Sequence, residues 1–292
     1  MPSGSLTDEQ INAYQTQSHV VVPSVFATNE LNEVDQAIRD LTRQAIASGQ
    51  METILELEPE LINGERVPRR IYNPFTQHEA FRKLATDERV LGRIESLIGP
   101  NFGLQHSKLN MKPAKIGSVV EWHQDLAYFP HTNDDLVTTL IYLDDATEEN
   151  GCLQVLPGYH KQFFNHHLSD GGFAGMITET IDDGRYGKPL PLPAPAGSII
   201  FMHCITPHSS LTNRSEKPRR TLIFEYRAAD SYPLYFDGQV GKSEKYSCHL
   251  RGERAGFARF GGPPPMIPDL TEKFTSLYDL QKKAKTTTSA GG

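Results

Sequence analysis

Leu104-Gln-His-Ser-Lys-Leu-Asn-Met-Lys112 opens the part of the chain that decides the fold. It is the first of six short β-like runs, followed by Val120–Gln124, Leu136–Leu143, Cys152–Leu156, Ser198–His203 and Thr221–Tyr226, with Gly, Pro, Asn and Asp between them. Short runs broken by turn formers suit antiparallel sheets packed face to face, whereas βαβ units would place a helix between successive strands. The pattern predicts a mainly β fold with flanking helices, its core a jelly roll.

Upstream of this block the first hundred residues read as mostly helical. Leu31, Val34, Ile38, Leu41 and Ala45 recur at three- and four-residue steps and place an apolar stripe on one helix face. A second helix starts after Asp87, a capping residue, carries Val90, Leu91, Ile94, Leu97 and Ile98, and stops at Gly99-Pro100. Between them Glu52–Pro68 is charged and irregular. Within the β block, residues 158–195 hold Asn165-His166-His167, Gly171-Gly172 and a Pro-rich stretch ending at Pro195, and read as a long lid-like insertion. The tail from Lys282 reads as disordered. These boundaries describe one domain over 1–292: a helical part to about 100, a β core over about 102–230, and a C-terminal extension over about 231–292.

A chain of 292 residues with 38% hydrophobic content can bury a full core. Its formal charge of -7 argues against a nucleic-acid partner, since phosphate binding needs basic excess, and favours a small-molecule substrate. Cys152, Cys204 and Cys248 are few, odd in number and widely spaced, which fits a reducing compartment better than a disulfide framework. With no basic leader and no apolar run of membrane-spanning length, the expectation is a cytoplasmic protein without a membrane partner. Nothing in the sequence sets an oligomeric state.

Glu121-Trp-His-Gln-Asp125 carries a His-x-Asp pair on an expected strand, where alternate side chains share a face and His123 and Asp125 can reach one ion. Alone the pair is weak evidence: with 11 histidines, about half of comparable chains would contain one by chance. His208 supplies a third ligand, 85 residues on and just after the apolar run Ser198–Met202. Two imidazoles and one carboxylate on one face of a metal leave positions open, as Fe(II) oxygen chemistry requires and a closed structural zinc site does not provide. Arg219 and Arg220 follow on another expected strand, so one guanidinium can point inward and hold a carboxylate with paired hydrogen bonds, with Ser210 adding a hydroxyl. His203 is the rival third ligand at the end of the same apolar run. His166-His167 reads as an exposed loop pair, with a substrate contact as the lesser alternative, and for His106 and His131 a hydrogen-bonded structural role stands at least level with a functional one. Tyr128, Trp122 and Arg227 are candidate substrate contacts, with core packing the competing role for Trp122 and Phe129.

From Gly99 to Tyr226 the chain resembles the phytanoyl-CoA hydroxylase family of Fe(II)/2-oxoglutarate oxygenases. The likeness lies in His123-Gln-Asp-Leu-Ala-Tyr-Phe-Pro130, in Glu149-Asn-Gly-Cys-Leu-Gln-Val-Leu-Pro-Gly-Tyr-His160 and in the segment from His208 to Arg220. The resemblance implies a double-stranded β-helix and an arginine for 2-oxoglutarate eleven residues after the distal histidine, which selects Arg219 over Arg220. It places further cosubstrate contacts on the strands around the His-x-Asp unit, here Lys108, Asn110 and Ile141. It also implies that 2-oxoglutarate and O2 become succinate and CO2 while an unactivated C–H of a small substrate is hydroxylated. Related halogenases carry a small residue where Asp125 stands, so hydroxylation is favoured, although desaturation and ring formation use the same ligands. Two other readings stay open: a metal- or small-molecule-binding β-barrel without turnover, and a cupin-like enzyme that uses the triad without 2-oxoglutarate. An acyl-CoA, a small carboxylic acid, a phosphonate and a secondary metabolite are all admissible substrates. Arg185, Lys188, Lys242 and Lys245 are the basic residues an acyl-CoA would call on.

Overall fold

The computed structural model describes residues 4–48, 55–58, 64, 67–117, 119–170, 173–234 and 244–260. The tail from Lys282 and the pair Gly171-Gly172 lie outside them. Twelve strands are found among the described residues: β1 (His19–Val22), β2 (Leu55–Leu57), β3 (Pro68–Tyr72), β4 (Phe102–Lys112), β5 (Val120–His123), β6 (Leu136–Tyr142), β7 (Leu153–Val155), β8 (Leu190–Pro191), β9 (Ile199–His203), β10 (His208–Ser210), β11 (Arg219–Ala228) and β12 (Cys248–Arg251). They form two antiparallel sheets. The larger has the order β1-β9-β6-β11-β4-β3-β2 with β12 also on β4, and the smaller has the order β5-β10-β7-β8. These are the two sheets of a double-stranded β-helix, and they enclose the site between them.

Alternation along the central strands decides what faces where. Val137, Ile141, Ile199, Phe201, Leu222, Phe224 and Tyr226 share one core with the helices, among them Val34, Ile38, Leu41 and Ala45 from α1 (Asn32–Ser48) and Val90, Leu91 and Ile94 from α2 (Glu88–Ile98). Leu140, Tyr142, Ile200, Met202 and Ile223, one position out of step, pack instead toward Leu153 and Val155 of the small sheet. Asp87 caps α2 by accepting from the Arg89 amide, as its position predicts. The helical layer is tied to the large sheet by polar bonds as well: the Tyr226 hydroxyl donates to the Ala85 carbonyl at 2.7 Å, and Arg220 bonds Asp35 of α1 at 2.6 Å and Asp144 at 2.6 Å.

The N-terminal part is less purely helical than its apolar spacing suggests, because β1, β2 and β3 lie within it and join the large sheet. His19-Val-Val-Val22 is a β-branched run that pairs with β9, and β3 alternates around the fully buried Ile71 to pair with β4. The insertion is built onto the small sheet: the Ile177 amide donates to the Trp122 carbonyl at 2.7 Å, and the Gln124 amide group donates to the Gln162 and Ile205 carbonyls.

Where the insertion returns to β9, Gly197 sits at φ +82 and a Cβ there would lie 1.9 Å from the Phe26 carbonyl oxygen. Both the positive φ and the close approach require glycine. Gly197→Ala is expected to lower the unfolding free energy by at least about 2 kcal/mol, read as a lower urea midpoint. An unchanged midpoint would contradict this packing.

Candidate metal and cosubstrate site

His123 ends β5 and is the Cα partner of His208 on β10, so antiparallel pairing alone sets the two imidazoles side by side, their rings 4.0 Å apart. Gln124 stays extended, at φ -124 and ψ 130, before Asp125 opens a short helical turn, Asp125–Tyr128. The alternation expected of a strand thus carries through to Asp125, although the strand itself stops at His123. The Asp125 Oδ1 atom lies 3.9 Å from the Nε2 atoms of both histidines, and one ligand atom from each of the three residues falls within 4.8 Å of the others.

The remaining atoms of these side chains are tied down so that the inward ones are presented. His123 Nδ1 bonds the Glu121 carbonyl at 2.7 Å and His208 Nδ1 bonds the Thr206 carbonyl at 2.9 Å, so each ring donates from Nδ1 and leaves the Nε2 lone pair for a metal. Thr138 on β6 donates to Asp125 Oδ2 at 2.9 Å, which leaves Oδ1 toward the histidines. Burial and the neighbouring His208 push the His123 imidazole down to about 3, and burial likewise lowers His208. Burial would raise the Asp125 carboxyl, yet His208, Lys108 and His123 outweigh it and keep the group below the usual carboxylate range. Two neutral imidazoles and one carboxylate are the protonation states that ligation requires, so the donor set fits Fe(II).

A cavity of about 560 Å³ opens from this triad and is lined by Ser210, Arg219, Thr221, Leu140 and Ile223 toward one end. Arg219 is 4% exposed; it donates to Thr221 Oγ1 and to the Gly151 carbonyl, both at 2.6 Å, while its Nε has no partner among the described residues. A buried guanidinium with an orphaned donor and no carboxylate bonded to it suits an incoming carboxylate such as the distal end of 2-oxoglutarate. Arg220 faces the other way, onto Asp144 and Asp35. Lys112 is the Cα partner of Arg219; its ammonium donates to the Leu211 carbonyl at 2.8 Å, and burial together with Arg219 pushes it down to about 7.

The other expected residues divide. Lys108, Asn110 and Tyr128 line the cavity. Ile141 does not: strand alternation turns it into the core shared with the helices, and Leu140 takes the cavity side. Trp122, next to His123 and so on the opposite face of β5, packs with the cluster of Leu156, Phe164, Ile177 and Tyr186 outside this cavity. Arg227 is also outside, held by two bonds to Glu244 at 2.6 and 3.0 Å and one to His131 at 3.1 Å. His203 lies apart from the triad, against Asp134 and the rings of Tyr14 and His160. Of the expected exposed pair, His167 is exposed but His166 is 1% exposed, because its Nε2 accepts from the Gln124 amide beside the triad at 3.1 Å.

Several site residues escaped the sequence reading. His106, for which the sequence leaves a structural and a functional role open, lines the cavity, its ring tilted against Phe129 and its Nε2 3.5 Å from Glu225. Arg70 and Tyr72 line the cavity from β3, and only the alternation Arg70-Ile71-Tyr72 hints at it. Lys112 shares its strand face with Lys108 and Asn110, a period-two signal that was available. Thr138 had no local signal at all.

Burial holds His106, His131 and His203 neutral, pushed down to about 3, 4 and 4. In the unfolded chain each takes up a proton near the ordinary histidine value of about 6.5. Below that pH the unfolded state binds the more protons, so these three groups make stability fall with acid down to about pH 4. Glu225, which burial pushes up to about 8, works in the opposite direction, but as one group against three. The melting temperature of the metal-free protein is therefore expected to drop steadily from pH 6.5 to 4.5, and a flat or rising profile would contradict the burial of these rings.

The comparisons with known proteins agree with this geometry. The family model described as phytanoyl-CoA dioxygenase matches residues 14–221. A probable alpha-ketoglutarate-dependent hypophosphite dioxygenase from Stutzerimonas stutzeri is 32% identical over 266 residues, covering 89% of this chain and 91% of that protein. The peroxisomal phytanoyl-CoA dioxygenase of Bos taurus is 24% identical, covering 86% and 78%. Among solved structures, EctD from S. alaskensis with bound Fe superposes with a TM-score of 0.68 at 21% identity, covering 87% of this chain and 90% of that one, a likeness of fold. No helix among the described residues is long and apolar enough to cross a membrane. With the family model spanning most of its length and a His-Asp-His site between its two sheets, the chain belongs to the phytanoyl-CoA dioxygenase family and is an iron- and 2-oxoglutarate-dependent dioxygenase.

Proposed function

We propose that the protein hydroxylates a small substrate, with Fe(II) held by His123, Asp125 and His208 and the distal carboxylate of 2-oxoglutarate held by Arg219. The observation that carries this reading is the pairing of an open three-ligand face with a buried arginine whose Nε lacks a partner, both lining one cavity. The bound iron, 2-oxoglutarate and O2 supply the oxidation, in which succinate and CO2 are formed and one oxygen atom enters the substrate.

The protein's own residues do the positioning. Thr138 and the carbonyls of Glu121 and Thr206 fix the faces that the ligands present. Thr221 and the Gly151 carbonyl hold the Arg219 plane, with Ser210 beside it on the cavity wall. Tyr128 lines the cavity beside the triad, and its hydroxyl donates to the Gly175 carbonyl while its ring stands edge-on to Phe173, so residues 173–175 hold it in place. The Asp125 carboxylate occupies the position that a halide would need, which favours hydroxylation.

Arg219→Ala removes a bidentate charge-assisted pair, and a buried pair of this kind contributes about 3 kcal/mol. The 2-oxoglutarate KM for succinate release is expected to rise about a hundredfold. Arg219→Lys should recover only part of the loss, because an ammonium cannot reproduce the planar fork. An unchanged KM in the alanine variant would remove 2-oxoglutarate from this end of the cavity.

A further inference from the structure

The cavity is more basic than the iron and cosubstrate need. A divalent iron, the Asp125 carboxylate and a 2-oxoglutarate dianion together leave one negative charge, which Arg219 balances. Among the described residues three further cations line the same cavity: Arg70, Lys108 and Lys245. Among the described residues the acids paired with them from behind are Glu225, 3.4 Å from the Lys108 ammonium, and Glu56, 3.4 Å from Arg70 Nη1. Even with both counted as ionised, the wall keeps an excess positive charge facing the space beside the iron ligands.

That charge is also organised. Arg70 and Asn110 are Cα partners across β3 and β4, and Arg70 Nε donates to Asn110 Oδ1 at 2.9 Å, which orients the guanidinium along the wall. Lys108 follows two residues before Asn110 on the same strand face, and its ammonium lies 3.9 Å from Asp125 Oδ1, the oxygen turned toward the histidines. Both cations are partly desolvated, at 28% and 22% side-chain exposure, so each interacts with an anion more strongly than a surface charge does. Lys245, more exposed, stands at the rim and adds attraction for an approaching anion.

We infer that Arg70, Lys108 and Asn110 form the receptor for an anionic head group, so that Lys108 and Asn110 serve the substrate and not the cosubstrate contact the family likeness implies for them, and that the substrate is a small oxoacid whose oxyanion they hold beside the iron. This rests on the dioxygenase reading and adds the substrate class to it. A cavity of about 560 Å³ that must also take 2-oxoglutarate leaves room for a compact acid. A carboxylate and a phosphorus oxyanion present the same chemistry to this wall, and the hypophosphite dioxygenase similar to this chain acts, by its name, on a phosphorus oxyanion.

The test is calorimetric titration, under argon, of the protein loaded with Fe(II) and 2-oxoglutarate. The probes are hypophosphite, methylphosphonate and propionate, beside the neutral dimethyl methylphosphonate and propionamide. At least one anion is expected to bind while the neutral compounds give no heat, and the anion that binds tells phosphorus from carbon. Lys108→Met would strip the cation from between the buried carboxyl groups of Asp125 and Glu225, so Arg70→Gln, at the more exposed end, carries the mutational arm and is expected to weaken the bound anion about tenfold. Wild-type protein that releases succinate in an Fe(II)- and 2-oxoglutarate-dependent way, yet binds none of the anions or binds the neutral compounds equally well, overturns the oxyanion receptor alone. No succinate under any condition overturns the reading beneath it.

Discussion

The pairing of β5 with β10 is the constraint on which the site depends. Four residues face three there, and the register puts His123 directly opposite His208. Such short strands have little stability of their own. They are held from outside: β10 also pairs with β7, the insertion bonds the backbone at Trp122, and Gln124 donates to carbonyls on both sides. A slip of one residue would turn one histidine out of the cavity, so these flanking bonds matter to the chemistry more than their individual strength suggests.

The large sheet supplies a different kind of order. Because β6, β9 and β11 are covered on both faces, their side chains are sorted strictly by parity. One set makes the core with the helices, and the other gives the site its inner wall: Thr138 against Asp125, Arg219 and Thr221 at one end, Leu140 and Ile223 between. β4 and β3 extend the same wall with His106, Lys108, Asn110, Arg70 and Tyr72. The large sheet therefore supplies most of the cavity wall, while the small sheet brings the two histidines face to face.

Much of this was legible in the sequence where a local pattern fixes the outcome. The β runs, the helix capped by Asp87 and the stripe from Leu31 to Ala45 follow from periodicity and capping, and the spacing from His208 to Arg219 follows from the family likeness. What was not legible depended on facts that no local pattern carries. Ile141 and Leu140 are both apolar, so which one meets the cavity is set by register, and Ile141 went to the core. Arg227 has the polar end of a substrate contact, but Glu244, in the C-terminal segment, binds it twice. Arg70 comes from a strand well before the motif and Thr138 from the strand that follows it, and both enter the site only through sheet pairing.

The central claim is that His123, Asp125 and His208 hold one ferrous ion, and anaerobic titration of the metal-free protein with Fe(II) tests it most directly. The account predicts one Fe(II) per chain in the wild type and loss of that binding in both Asp125→Ala and His208→Ala, with each variant still folded by its circular dichroism. Retention of one tightly held iron in both variants would contradict it.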